Sequence, residues 1–192
     1  TLLDKAAEIG VKWTRLGASW PAIEKEKGSY DWAKTDVAFT KITDKGIAAF
    51  ITLGGGNRLY TELTTYDDPK LAAIYGESPS PPVGSQAEID AWLRFVEAVV
   101  GRYQNRITYW EIWNEPNGGM FWALEREDFH ELYITAATAL EALDPGLRIG
   151  GPGVAGYSNL PGPEIWIFIG TYMVAGVVGL FFIVLRGEEL LL

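Results

Sequence analysis

The sequence predicts an α/β fold, in which βα units build a parallel sheet and an apolar C-terminal helix follows. Three observations predict it. Short apolar runs alternate with amphipathic stretches from Thr1 to about Pro163. The longer stretches between them repeat apolar residues at helical spacing, and residues 165–185 carry no charge at all.

Taken in chain order, Val11–Leu16, Ile47–Leu53, Ile107–Trp113 and Leu147–Gly150 read as strands. Each follows a turn or a helix stop, such as Gly10, Lys45-Gly46 or Asp144-Pro145-Gly146. Ser85-Gln86-Ala87-Glu88 has the pattern of a capping box and opens a helix whose Trp92, Phe95, Val96, Val99 and Tyr103 share one face. Phe129, Leu132, Tyr133, Ala136, Ala137, Leu140 and Leu143 repeat that spacing, so both helices are expected to cover the sheet. The stretch 57–84 is rich in Pro, Ser, Asp and Tyr and follows the end of a strand, which suits a substrate-cleft wall.

The run 165–185 would span roughly 31 Å as a helix, about the thickness of a bilayer core. This divides the chain into 1–163 and a membrane-helix segment with a short tail, 164–192. A buried helix, or apolar sequence from a wrongly joined reading frame, remains open for the same residues. Glu164 before the run and Arg186 after it favour a cytoplasmic C-terminus, hence an extracytoplasmic or membrane-associated location. Leu2, Leu3, Ala6 and Ile9 fall at helical spacing with no basic leader before them, so no signal peptide is expected.

The net charge of −9 and the scarcity of clustered Lys and Arg argue against a nucleic-acid partner. With no Cys, disulfides and thiolate metal sites are impossible. The single His, His130, rules out a multi-histidine metal site and sits among helical residues, so it is assigned no catalytic part. Gly54-Gly55-Gly56 is followed by no phosphate-loop pattern and reads as a tight turn.

The chemistry-bearing stretch is Tyr109-Trp110-Glu111-Ile112-Trp113-Asn114-Glu115-Pro116-Asn117. Strand alternation puts Glu111, Trp113 and Glu115 on one face, and Pro116 ends the ladder with Glu115 at the C-terminal mouth of the sheet. Cleaving a glycosidic bond takes one carboxylic acid to protonate the departing oxygen and one carboxylate to attack or to activate water. Glu115 suits the acid, while Glu111 reads as an interior hydrogen-bonding group. Asn114 offers an amide to a sugar hydroxyl, and Trp113, Trp20 and Trp122 offer flat apolar faces to sugar rings. Asn57, just beyond the second strand, is a further candidate contact.

The stretch resembles the Trp-Asn-Glu-Pro signature on the fourth barrel strand of the retaining clan A glycoside hydrolases. Lys12–Trp20, then Ile23-Glu24 and Gly28-Ser29-Tyr30-Asp31-Trp32, resemble the clan's second strand and the packing motif after it. Phe50–Asn57 resembles strand three and Leu147–Pro152 strand five, most like families 39 and 5. The resemblance implies a partial (β/α)8 TIM barrel, strands two to five, with Glu115 as acid/base, Asn114 on the substrate 2-hydroxyl and Arg15 supporting the carboxylates. It implies an oligosaccharide or glycoside substrate and no cofactor or metal.

In the clan the nucleophile is a second Glu on strand seven, which no residue here matches. Four strands are half of a fold of about 250 residues. An open half-barrel exposes two strand edges and a sheet face, so self-association is expected. The sequence therefore supports two functions: a glycosidase whose site is incomplete in this chain, or a membrane-anchored, non-catalytic sugar-binding protein.

Overall fold

Alternating apolar side chains with a period of two can bury one sheet face against helices, and the four main strands do so. The computed structural model describes residues 1–64, 69, 78–117, 121–122 and 124–153. The elements are α1 (Leu2–Glu8), β1 (Trp13–Ser19), α2 (Trp20–Ile23), β2 (Glu24–Glu26), β3 (Ser29–Tyr30), α3 (Ala33–Thr43) and β4 (Ala48–Gly54). Then follow β5 (Leu63–Thr64), β6 (Ser78–Pro79), α4 (Gln86–Tyr103), β7 (Tyr109–Ile112), α5 (Arg126–Leu143) and β8 (Arg148–Gly150).

The central sheet has the order β1-β4-β7-β8, every pair parallel. Successive strands are neighbours and a helix lies between each pair in sequence, the arrangement of a barrel segment. The register Leu16↔Ile51↔Trp110↔Ile149 defines the face turned to the helices. There Ile51, Leu53, Trp110 and Ile112 meet Phe39 of α3, Trp92 and Phe95 of α4 and Phe129 of α5 in one buried cluster. The opposite face carries Arg15, Phe50 and Tyr109 in one row, then Gly17, Thr52 and Glu111 in the next.

All four expected strands form, with shifted ends. β1 starts at Trp13 and runs on to Ser19 because it stays paired with β4 as far as Ser19↔Gly54. The capping box at Ser85 is half realised. Ser85 Oγ accepts the Glu88 N–H at 3.3 Å, but the Glu88 carboxylate accepts from Gly84 N–H at 3.2 Å, one residue before the expected partner. Within 57–84 the chain makes a turn over 57–61 and the antiparallel pair β5–β6.

β1 and β8 are the edges of the sheet. On α1, Leu2 is 88% exposed, and beyond it Ile9 is 80% exposed, while Leu3 and Ala7 pack against the core. The proposed membrane helix 165–185 lies outside the described residues. Among those described, no helix is long and apolar enough to cross a membrane.

Candidate active site

At the C-terminal end of β7 the alternation of the strand stops. Trp113 and Glu115 both take left-handed backbone conformations, φ 66° and 46°. Such angles disfavour side chains other than Gly, Asn and Asp, and they gather at functional sites. Two backbone bonds hold the segment: Trp113 N–H donates to Leu53 O and Glu115 N–H to Gly153 O, each at 2.8 Å. Asn114 forms an isolated parallel bridge with Gly153.

The left-handed Trp113 turns the chain so that parity slips by one residue. The expectation of Glu111, Trp113 and Glu115 on one face is therefore corrected. Trp113 is buried on the helix side, its indole between Trp92 and Trp122 and its Nε1 donating to Phe121 O at 2.9 Å. Asn114 takes the place alternation reserved for Trp113, on the face of Glu111.

Arg15 links the two. Its Nε and Nη2 both donate to Glu111 Oε2, at 2.8 and 2.5 Å, and Nη2 also donates to Asn114 Oδ1 at 2.8 Å. Thr52 Oγ1 donates to the same Glu111 oxygen at 2.5 Å. Glu111 is 3% exposed, so these donors replace the water its charge would otherwise hold. With its oxygen engaged by Arg15, the Asn114 amide is oriented with its NH2 free to donate to a ligand hydroxyl. Space for this cluster is kept by small residues. A Cβ on Gly151 (φ 106°) would lie 2.8 Å from Glu111 Cγ, and one on Gly153 3.1 Å from Glu111 Oε1.

Glu115 is half-exposed at the mouth, and among the described residues its carboxylate has no hydrogen-bond or ion-pair partner. An acid that must reach a departing oxygen has to be available in this way. No group of three or more His, Asp or Glu side chains able to hold a metal occurs among the described residues.

Arg15 and Asn114 are thus brought together, with Glu115 following Asn114 in the chain, whereas three other candidates are corrected. Trp20 is fully buried, stacked between Tyr60 at 5.2 Å and Phe95 at 5.9 Å, so neither ring face is open to a sugar. Trp122 is 3% exposed, lies edge-on to Trp113 and Phe129, and donates Nε1 to Glu125 O. Asn57, also 3% exposed, donates Nδ2 to Glu24 O and accepts the Leu59 N–H on Oδ1, so its amide is buried as a loop anchor.

Two residues escaped sequence reasoning. Thr52 sits opposite Glu111 in the β4–β7 register, a relation visible only once the two strands are aligned. Glu24, 1% exposed, accepts from Trp20 Nε1 at 2.5 Å, Gly28 N–H at 2.6 Å and Tyr60 OH at 2.5 Å. Burial, and after it the bond to Glu24, pushes the Tyr60 phenol up to about 12. The sequence signal for Glu24 was its place in the motif after the first strand, between Ile23 and Gly28.

Comparison with known proteins bears on the family and the fold. Over 80 residues the chain is 32% identical to a β-xylosidase of Geobacillus stearothermophilus, covering 38% of this chain and 16% of that protein. Over 74 residues it is 38% identical to a β-xylosidase of Caldicellulosiruptor saccharolyticus, covering 34% and 15%. Its fold matches the crystal structure of a monomeric β-xylosidase from Caulobacter crescentus CB15, with a TM-score of 0.61 and 27% identity over 93% of this chain and 36% of that one. The chain thus spans a minor part of the relatives it matches. The model of glycosyl hydrolases family 39 matches residues 25–183, most of the chain and nearly all of the apolar run, and the chain belongs to that family.

Proposed function

We propose that this chain carries the acid/base half of a retaining glycoside hydrolase acting on β-linked saccharides, with β-xylosides the first substrates to try. The observation that carries the reading is the Arg15–Glu111–Asn114 network, followed in the chain by Glu115, whose carboxylate has no partner among the described residues. Glu115 protonates the departing oxygen and then deprotonates the incoming water, and Asn114 binds the hydroxyl next to the anomeric carbon. Arg15 fixes both Glu111 and the Asn114 amide. A second carboxylate, roughly 5 to 5.5 Å from Glu115, forms the covalent intermediate and comes from strands beyond the four described. The β-xyloside assignment leans on what the curated relatives are called.

The test is binding of p-nitrophenyl β-xyloside to the folded chain by calorimetry, then hydrolysis with the product anomer followed by NMR. Binding weakened by Asn114→Ala, and a β-anomer formed first when turnover occurs, support the reading. A folded chain that binds no β-glycoside sinks it, and first formation of the α-anomer sinks the retaining mechanism. The membrane-anchored sugar-binding alternative is motivated by the run 165–185. It predicts that Glu115→Gln leaves sugar binding intact and that the chain needs detergent for extraction.

A further inference from the structure

The exits of the first two main strands are tied together at one buried carboxylate. Glu24 lies just after α2 and takes three donors from three segments. Trp20 of α2 bonds Oε2, while Gly28 of the β2–β3 turn and Tyr60 of the loop after β4 bond Oε1. Its backbone carbonyl takes Asn57 of that same loop at 2.9 Å. Asn57 in turn closes the loop, its carbonyl accepting Tyr60 N–H at 2.8 Å and Thr61 N–H at 2.9 Å. Tyr60 stacks on Trp20 with the planes 16° apart, and the Lys27 ammonium stands 4.9 Å over its ring.

This loop begins beside Trp113, two residues before the candidate acid in the chain. β4 leaves the sheet against Trp113, whose Cα would be 3.6 Å from a Cβ at Gly54. Gly55 (φ 96°) then passes so close to Pro21 of α2 that a Cβ would meet its Cδ at 3.3 Å. From there the loop runs to Leu63, which is 38% exposed, and it leaves the sheet from β4, the strand paired with β7.

We propose that Glu24 is a positioning residue: it holds residues 55–63 as a wall of the glycoside cleft beside Glu115 and so sets the affinity for the sugar bound there. The inference rests on the glycosidase reading. An acceptor oxygen is required at both ends of the side chain because the partners give protons. The Tyr60 hydroxyl can turn round, but the Trp20 indole and the Gly28 amide only donate. A glutamine would set its NH2 against one of them in either orientation and release the loop or the turn.

The experiment compares the folded chain with its Glu24→Gln and Tyr60→Phe variants, using p-nitrophenyl β-xyloside as the probe. Calorimetric Kd is measured together with the rate of tryptic cleavage after Arg58, in the loop, and after Arg106, at the opposite end of the sheet. We expect Kd to rise about tenfold in Glu24→Gln and less in Tyr60→Phe, in keeping with the cost of a misplaced binding wall. Cleavage after Arg58 should speed up while cleavage after Arg106 does not. Wild-type binding with an unchanged Kd in both variants overturns the role of Glu24 and leaves the glycosidase reading standing. Equal acceleration at Arg58 and Arg106 overturns it too, since Glu24 then supports the fold as a whole. If Glu24→Gln does not fold, Tyr60→Phe alone decides. A folded wild-type chain that binds no probe overturns both readings.

Discussion

The guanidinium of Arg15 grips the carboxylate of Glu111 from two strands away, through Nε at 2.8 Å and Nη2 at 2.5 Å. Glu111 is buried while the Arg15 side chain is 48% exposed. Arg15→Met leaves the carboxylate with Thr52 as its side-chain donor. Fully buried pairs cost about 3–5 kcal/mol when one partner is removed, and the half-exposed Arg15 brings the expected loss to about 2 kcal/mol in urea unfolding. Arg15→Lys should recover only part of it, because an ammonium cannot offer two donors in the fixed geometry of a fork.

Glu115→Gln should lower turnover of p-nitrophenyl β-xyloside by about 10²–10⁴-fold in any assembly with a complete site, the usual contribution of a positioned acid or base. A dinitrophenyl leaving group needs less protonation, so its bond-breaking step should suffer far less than that of an alkyl xyloside. Equal losses on both substrates would show that Glu115 is not the acid.

Two glycines make a paired test of space. Gly151→Ala forces a left-handed alanine whose Cβ lies 2.8 Å from Glu111 Cγ, and about 2–3 kcal/mol of stability should be lost. Gly101 lies within α4 with nothing near a prospective Cβ, and Gly101→Ala should add about 0.5–1 kcal/mol. Chemical denaturation of the two variants reads both signs.

Stability in acid should depend on Asp36. Arg102 of α4 bonds it through Nε and Nη2, and this above all holds its carboxyl below the ordinary range, with burial acting the other way and Tyr103 OH assisting. A carboxylate with a depressed native pKa stabilises the fold above its unfolded pKa of about 3.9, and the contribution fades as pH falls below that toward the native value. The pair is well exposed, so the effect should stay below about 1 kcal/mol. Asp36→Asn should flatten the stability profile below about pH 4 and leave neutral pH little changed apart from the lost pair.

Periodicity made the four strands and the two long helices legible, because each buries a continuous face against its neighbours. The chemistry after Ile112 was half legible. Residue types pointed to Asn114 and Glu115, but alternation assigned the wrong face to Trp113, since a left-handed tryptophan is a local cost that only the surrounding packing imposes. The aromatic candidates failed for a related reason: Trp20 and Trp122 look alike as sugar platforms or as core, and only the neighbours Tyr60, Phe95, Trp113 and Phe129 decide. Glu24 was hidden because its partners come from three separate segments.

The left-handed backbone at Glu115 sets function against robustness. Asparagine accepts φ 46° more readily than glutamate, for which such a conformation costs about 1 kcal/mol. Glu115→Asn should therefore melt higher than the wild type while losing the ability to donate a proton. Screening for heat tolerance alone would then discard the carboxyl that the proposed chemistry needs, so stability and that chemistry pull residue 115 in opposite directions.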